Sequence, residues 1–249
     1  MVGSVSRLLL IIPAFNEAAS IGGLLDEIRA TQLDCDTVVI DDGSRDRTAA
    51  VVLRHEGVVV VRNPFNLGIG GAMQTGYRYA YERGYDIAVQ VDADGQHPPA
   101  QIPALIAPIL AGAANMTVGT RFREETSYRG SWVRRIGIAV FARIVSSIVR
   151  QRMTDTTSGF RAGDREVIRL FAFDYPSDYP EVETTAVVCQ QGLSIVEVPV
   201  EMRLREVGES SITVFWSVYY VVKVTLALMV GVFRRPLVLP VDTYHESGD

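Results

Sequence analysis

The sequence predicts an α/β fold built on a mostly parallel sheet flanked by helices, and three observations carry that reading. Short apolar, β-branched runs alternate with helix-length segments over residues 7–120, the rhythm of βαβ units whose strands are covered on both faces. Three of those runs end in polar clusters, Pro13–Glu17, Asp41–Ser44 and Asp92–Pro99, as expected where strands deliver a crevice of functional groups. The composition, 48% hydrophobic and 21% charged over 249 residues, supplies a sizeable core and excludes disordered or fibrous classes.

The elements follow in order. Strands are expected near Arg7–Pro13, Asp36–Asp41, Val58–Arg62, Ile87–Asp92 and Met116–Thr120, separated by helices near Ser20–Thr31, Arg47–Glu56, Gly70–Arg83 and Ala100–Leu110. Ser20 suits a cap of the first helix, Gly57 suits the end of the second, and Pro98-Pro99 stops strand character before the fourth. After residue 130 the rhythm changes. Arg134–Arg152 carries Ile136, Val140, Phe141, Ile144 and Ile148 on one helical face and Arg135, Arg143 and Arg150 on another, a basic amphipathic helix. A short helix around Val182–Gln191 precedes strand-like Ser194–Val200 and Met202–Glu206.

Ile212–Phe233 holds one formal charge, Lys223. A helix there would be just long enough to span a bilayer. Arginines on both flanks and the lysine inside favour an interfacial helix over a span, with a core or oligomer helix as the third possibility.

The net charge of −5 hides an asymmetry. Residues 121–152 contain eight arginines and two acids, a net of +6, which leaves −11 for the remainder. A basic block on an acidic body suggests a local anionic partner rather than nucleic acid. The two cysteines, Cys35 and Cys189, form no disulfide framework or multi-cysteine zinc site and read as buried thiols in a reducing compartment. The N-terminal apolar run lacks a small-residue cleavage site and reads as a strand, not a signal peptide.

Asp92-Ala93-Asp94 at a strand end offers two carboxylates one residue apart, able to share a hard divalent cation with Gln96 or His97 as a further ligand. An Asx-rich turn would look the same. The other polar strand ends add weight, because in an open α/β sheet ligands bind beyond the carboxyl ends of the strands. No G-x-G-x-x-G follows the first strand, so a dinucleotide fold is excluded. The glycines of residues 66–72 either approach a phosphate or allow tight packing.

Together IPAFNE, VIDDGS, NLGIGGAMQTGY, VDADGQHPP, GTRF, DTTSGFR and REVGESS stand in the order and spacing of family 2 glycosyltransferases with the GT-A fold. The chain most resembles the polyprenyl-phosphate (dolichol-phosphate-type) hexosyl synthases over residues 7–212. That resemblance implies a UDP- or GDP-linked sugar donor, Mg²⁺ or Mn²⁺, and a polyprenyl phosphate acceptor. It implies that Pro13, Ala14, Asn16 and Glu17 line the nucleoside pocket, that Asp42 with Asp41 nearby faces the base or ribose, and that Gly71 and Ala93 belong to the donor site. Asp92, Asp94 and Gln96 would hold the metal against the diphosphate, with Arg205 on the same phosphates. Arg121 and Arg135 would grip the acceptor phosphate, and Ser158 of D-x-x-S-G-F-R would shape that site from the far wall. Ala139 stands where the family often has a hydroxyl.

The implied organisation is a glycosyltransferase domain over 1–211, an apolar interfacial segment over 212–235 and a tail over 236–249, with C-terminal amphipathic helices at the cytoplasmic face of the membrane. Attachment would be peripheral or monotopic, with a homo-oligomer or a small membrane protein as a further partner. The implied activity is inverting hexosyl transfer to a lipid phosphate, which is largely ionised at neutral pH and needs no strong base. A family 2 enzyme acting on a sugar hydroxyl is the competing reading, and it would need Glu183 as the base. A nucleotidyltransferase would want a basic glycine-rich loop after the first strand, absent here. A non-catalytic sugar-nucleotide-binding subunit is disfavoured by the intact acidic and arginine set.

Overall fold

The computed structural model describes residues 6–120, 158–177 and 180–203. The expectations for Arg121, Arg135 and Arg205, for the helix Arg134–Arg152, for Ile212–Phe233 and for the boundaries at 211 and 235 lie outside those residues.

Among the described residues seven strands are present: β1 (Leu8–Ala14), β2 (Asp36–Asp41), β3 (Val58–Arg62), β4 (Ile87–Gln90), β5 (Met116–Thr120), β6 (Arg161–Asp164) and β7 (Ile195–Pro199). They form one sheet in the order β3-β2-β1-β4-β6-β5-β7. Every pairing is parallel except those of β6, which runs antiparallel between β4 and β5. Pairs such as Ala14 with Asp41 and Asp41 with Arg62 align the carboxyl ends of β1, β2 and β3 at one edge.

The helices are α1 (Ile21–Ala30), α2 (Thr48–Val52), α3 (Gly68–Glu82), α4 (Ile102–Leu110), α5 (Arg165–Phe173) and α6 (Pro180–Gln190), with a 3₁₀ turn at Pro99–Gln101. Alternation along β1 divides the core. Leu8, Leu10 and Ile12 pack with Ile21, Leu24, Leu25 and Ile28 of α1 and with Ile102, Leu105 and Ile109 of α4. Leu9 and Ile11 pack on the other face with Ala72, Met73 and Tyr77 of α3 and Val167, Ile168 and Phe171 of α5. The period of two in the strand and of three to four in each helix therefore meets on both sides of the sheet. Among the described residues no helix is long and apolar enough to cross a membrane.

Four details differ from the sequence reading. Strand β4 ends at Gln90 rather than Asp92, because the Asp92 amide donates to a side chain, His97 Nδ1 at 3.1 Å, instead of the ladder. Ser20 does not cap α1; its hydroxyl donates to Glu17 Oε2 at 2.6 Å. Helix α2 is only five residues long and tightens into bonds from Arg54 and His55 back to Val51 and Val52. Strand β6 and helix α5 are additions to the expected elements. RAGD has no strand-like composition, yet Asp164 caps α5 by accepting from the Val167 amide at 3.1 Å, a cap the sequence shows once the apolar spacing of 167, 168 and 171 is counted.

Candidate functional site

Two loops at the carboxyl edge of the sheet hold each other. After β1, the Asn16 amide donates to Ser44 Oγ at 3.0 Å, and Asn16 Oδ1 accepts from the Arg45 amide at 2.9 Å. The Glu17 amide donates to Thr48 Oγ1 at 2.9 Å and the Ala18 amide to Asp46 Oδ2 at 3.1 Å. Asn16 takes a positive φ of 58° to make its contacts, a conformation Asn tolerates better than most residues. Burial pushes the Asp46 carboxyl upward, but hydrogen bonds from the Thr48 hydroxyl, the Thr48 amide and the Ala18 amide outweigh it, and its pKa ends below the ordinary value.

The Asp41-Asp42 pair of the same edge is spent on the protein itself. Asp41 is fully buried; Oδ1 accepts from the Ser44 amide at 2.9 Å, while Oδ2 lies 3.2 Å from Arg62 Nε without hydrogen-bond alignment. Asp42 is also buried, and its carboxylate accepts from Asn63 Nδ2 at 2.8 Å and from the amides of Leu67 and Gly68 at 2.9 to 3.1 Å. This carboxylate shapes the loop into α3. Gly71 sits in the first turn of that helix, against the Leu67 side chain. Pro13 and Ala14 are buried at the end of β1, with the Ala14 carbonyl accepting from the Asp42 amide at 2.9 Å.

The second acidic pair, after β4, is different. Asp92 and Asp94 are both part-exposed, whereas Ala93 between them is buried in the apolar core. Asp92 Oδ1 accepts from Gln90 Nε2 at 3.2 Å, and Oδ2 lies 3.6 Å from His97 Nε2. Asp94 accepts from the Gln96 amide at 3.1 Å on Oδ1 and from Gln96 Nε2 at 2.8 Å on Oδ2. Gln96 is thus turned toward Asp94 as a donor and orients it. His97 is buried, and its Nδ1 accepts the hydrogen bond from the Asp92 amide.

The far wall comes from the segment entering β6. Gly159 lies so close that a Cβ there would stand 3.0 Å from Asp92 Oδ2 and 3.2 Å from Gln90 Nε2, so a larger residue would crowd that carboxylate. Phe160 stacks on the His97 ring at a centroid distance of 4.9 Å. Arg161, buried, donates from Nε to the Ser158 carbonyl at 2.7 Å and from its other nitrogens to Thr184 Oγ1 and the Glu181 carbonyl. It thereby ties the wall to the first turn of α6, where Glu181 and Glu183 sit half-buried. Ser158 is 2% exposed and its hydroxyl accepts from the Phe160 amide at 3.3 Å, so it stands behind the wall rather than on it. The Arg203 amide donates to the Gln96 carbonyl at 3.0 Å, and its guanidinium pairs with Glu27 at 2.8 Å. The chain two residues before Arg205 is fastened to the Asp94 loop.

Two part-exposed carboxylates on one loop are an all-oxygen donor set whose chemistry fits Mg²⁺ or Mn²⁺ completed by ligand oxygens. Among the described residues no group of three or more His, Cys, Asp and Glu side chains could hold a metal by itself. Gln90 is a neighbour of this loop that sequence reasoning misses, visible there only as the residue two before Asp92, whereas Gly159 and Phe160 belong to the SGFR motif read as the far wall. The two thiols are half-buried, and burial first of all pushes each up to about 11, which keeps them protonated and unreactive.

The family model described as Glycosyl transferase family 2 matches residues 9–174. An undecaprenyl-phosphate mannosyltransferase of Micrococcus luteus is 32% identical over 220 residues, covering 83% of this chain and 88% of the relative. A UDP-N-acetylglucosamine–dolichyl-phosphate N-acetylglucosaminyltransferase of Methanococcus voltae is 29% identical over 211 residues, covering 77% and 84%. The crystal structure of glucosyl-3-phosphoglycerate synthase from Mycobacterium tuberculosis with Mn²⁺, UDP and glucosyl-3-phosphoglycerate shares the fold with a TM-score of 0.67 at 21% identity, over 94% of this chain and 82% of that one. The sheet order, the paired carboxylates at its carboxyl edge and the family match converge on one conclusion: the chain belongs to glycosyl transferase family 2 and is a glycosyltransferase of GT-A-like architecture.

Proposed function

We propose that the protein is an inverting, metal-dependent transferase that moves a hexose from a UDP- or GDP-linked donor to a polyprenyl phosphate at the cytoplasmic face of the membrane. The observation that carries the reading is the contrast at the sheet edge: Asp92 and Asp94 are oriented by neighbours yet part-exposed, while Asp41 and Asp42 are buried against the protein itself. The names of the relatives from Micrococcus luteus and Methanococcus voltae support lipid phosphate as the acceptor. They differ in the sugar, so the hexose is left open.

Asp92 and Asp94 would hold the cation, which when bound supplies neutralisation of the negative charge that grows on the departing diphosphate. The loop from Asn16 to Glu17, fixed by Ser44, Arg45 and Thr48, would form a rigid floor for the nucleoside. Arg205, following the anchored Arg203, is assigned to the donor phosphates. Arg121 and Arg135 are assigned to the acceptor phosphate, where bidentate guanidinium contacts hold the attacking oxygen in line with the anomeric carbon. That phosphate has a second pKa near 6 and is largely ionised at neutral pH, so its oxygen attacks without a base.

The test is transfer from a panel of radiolabelled UDP- and GDP-sugars to undecaprenyl phosphate with Mg²⁺ or Mn²⁺, wild type against Asp94→Ala. The expected result is an organic-extractable product that needs the metal, disappears in the variant and identifies the sugar. A donor that binds or is hydrolysed without labelling the lipid would overturn the acceptor. Dependence on Glu183 with a hydroxyl acceptor would then establish the competing reading.

A further inference from the structure

We propose that His97 is the positioning residue that presets Asp92 for the cation, acting on its main chain rather than as a ligand. The inference rests on the reading of Asp92 and Asp94 as the metal carboxylates.

The geometry has three parts. His97 is 4% exposed, with its ring stacked on Phe160 at an interplanar angle of 18°. Its Nδ1 accepts from the Asp92 amide at 3.1 Å, which fixes the neutral ring as the tautomer with hydrogen on Nε2. That Nε2 faces Asp92 Oδ2 at 3.6 Å, too long for a hydrogen bond. The working contact is therefore the one to the amide. It ends β4 one residue after the Val91 amide has made its last sheet bond, to the Ile11 carbonyl at 3.0 Å. The bend it creates directs the Asp92 carboxylate into the slot between Gln90 Nε2 and Gly159. Without an acceptor at the Nδ1 position, the Asp92 amide has no ladder partner to return to, since β6 runs antiparallel and its pairing with β4 stops at Gln90 with Arg161. Outer-shell partners that orient a ligand commonly account for ten- to a hundredfold in metal affinity.

Asn and Gln substitutions separate this role from simple packing, because the Asn side-chain oxygen reaches the place of Nδ1 whereas Gln extends to that of Nε2. The full chain carrying His97→Asn or His97→Gln, the wild type and Asp94→Ala are titrated with MnCl₂ in the presence of UDP, and separately GDP. Free Mn²⁺ is read by electron paramagnetic resonance, and melting temperatures are recorded alongside. The expected result is at least about tenfold weaker Mn²⁺ binding in His97→Gln, with His97→Asn within about threefold of wild type and both variants melting within a few degrees of each other. Equal Mn²⁺ affinity in wild type and His97→Gln, loss that simply follows the melting temperature, or failure of both variants to fold would make His97 structural and overturn the proposal. If wild type and Asp94→Ala bind Mn²⁺ alike, the metal site itself is wrong and the proposal falls with it.

Discussion

Two acidic pairs close neighbouring parts of the same sheet edge and do opposite things. Asp41 and Asp42 are buried: Asp42 is saturated by Asn63, Leu67 and Gly68, and Asp41 accepts from the Ser44 amide and pairs with Arg62. Asp92 and Asp94 are part-exposed, oriented from behind by Gln90, Gln96 and the glycine at 159. Burial separates a carboxylate committed to a loop from one that, on the proposed function, serves a ligand. A buried anion is tolerable only with its acceptor sites filled, and once filled it has little left to offer.

The comparison breaks most sharply at Asp94. Asp94→Ala is expected to lower transfer by about 10³-fold, the several kcal/mol of charge stabilisation tied to a bound cation, while urea unfolding stays close to wild type. Asp42→Ala should do the reverse. The Asn63 side-chain amide and the Leu67 amide lose their acceptor and the Gly68 amide keeps only Asn66 Oδ1, so unfolding free energy falls by about 3 kcal/mol, and the folded fraction keeps its Mn²⁺ requirement. Both are read by pairing a denaturation curve with a metal titration of activity.

A finer test lies between them. Gly159→Ala crowds Asp92 Oδ2 without touching the hydrophobic core, and an increase of roughly tenfold in the Mn²⁺ concentration for half-maximal transfer is expected, with a melting temperature near wild type. The smallest effect concerns the clasp. Because the Asp46 carboxyl sits below its ordinary value, its contribution is complete above the unfolded-state pKa and is lost as pH falls through the depressed one. Wild-type unfolding midpoints should therefore decline on acidification more steeply than those of Asp46→Asn, measured between about pH 6 and 3.

Much of the fold is legible in the residues alone. Runs such as LLLII and TVVI predict strands because buried parallel strands need apolar faces on both sides, and five of the seven strands lie where those runs predict within two residues. The sixth, β7, is read almost to the residue at Ile195–Pro199. Strand β6 is illegible because RAGD is held by its neighbours, not by propensity. The site is legible as motifs, but not as roles. DDGS and DADG look equivalent in one dimension, and only the amides of Leu67 and Gly68, 25 and 26 residues away from Asp42, reveal which pair is occupied.

Gly70 has a consequence for redesign. A Cβ at this position would stand 2.5 Å from the Pro176 carbonyl oxygen and 2.6 Å from Ser177 Cα, so the start of α3 and the run leading toward α6 touch backbone to backbone. No side chain is available there to be trimmed or lengthened as a shim. An engineer who grafts a different α6 onto this scaffold inherits a fixed clearance at residue 70.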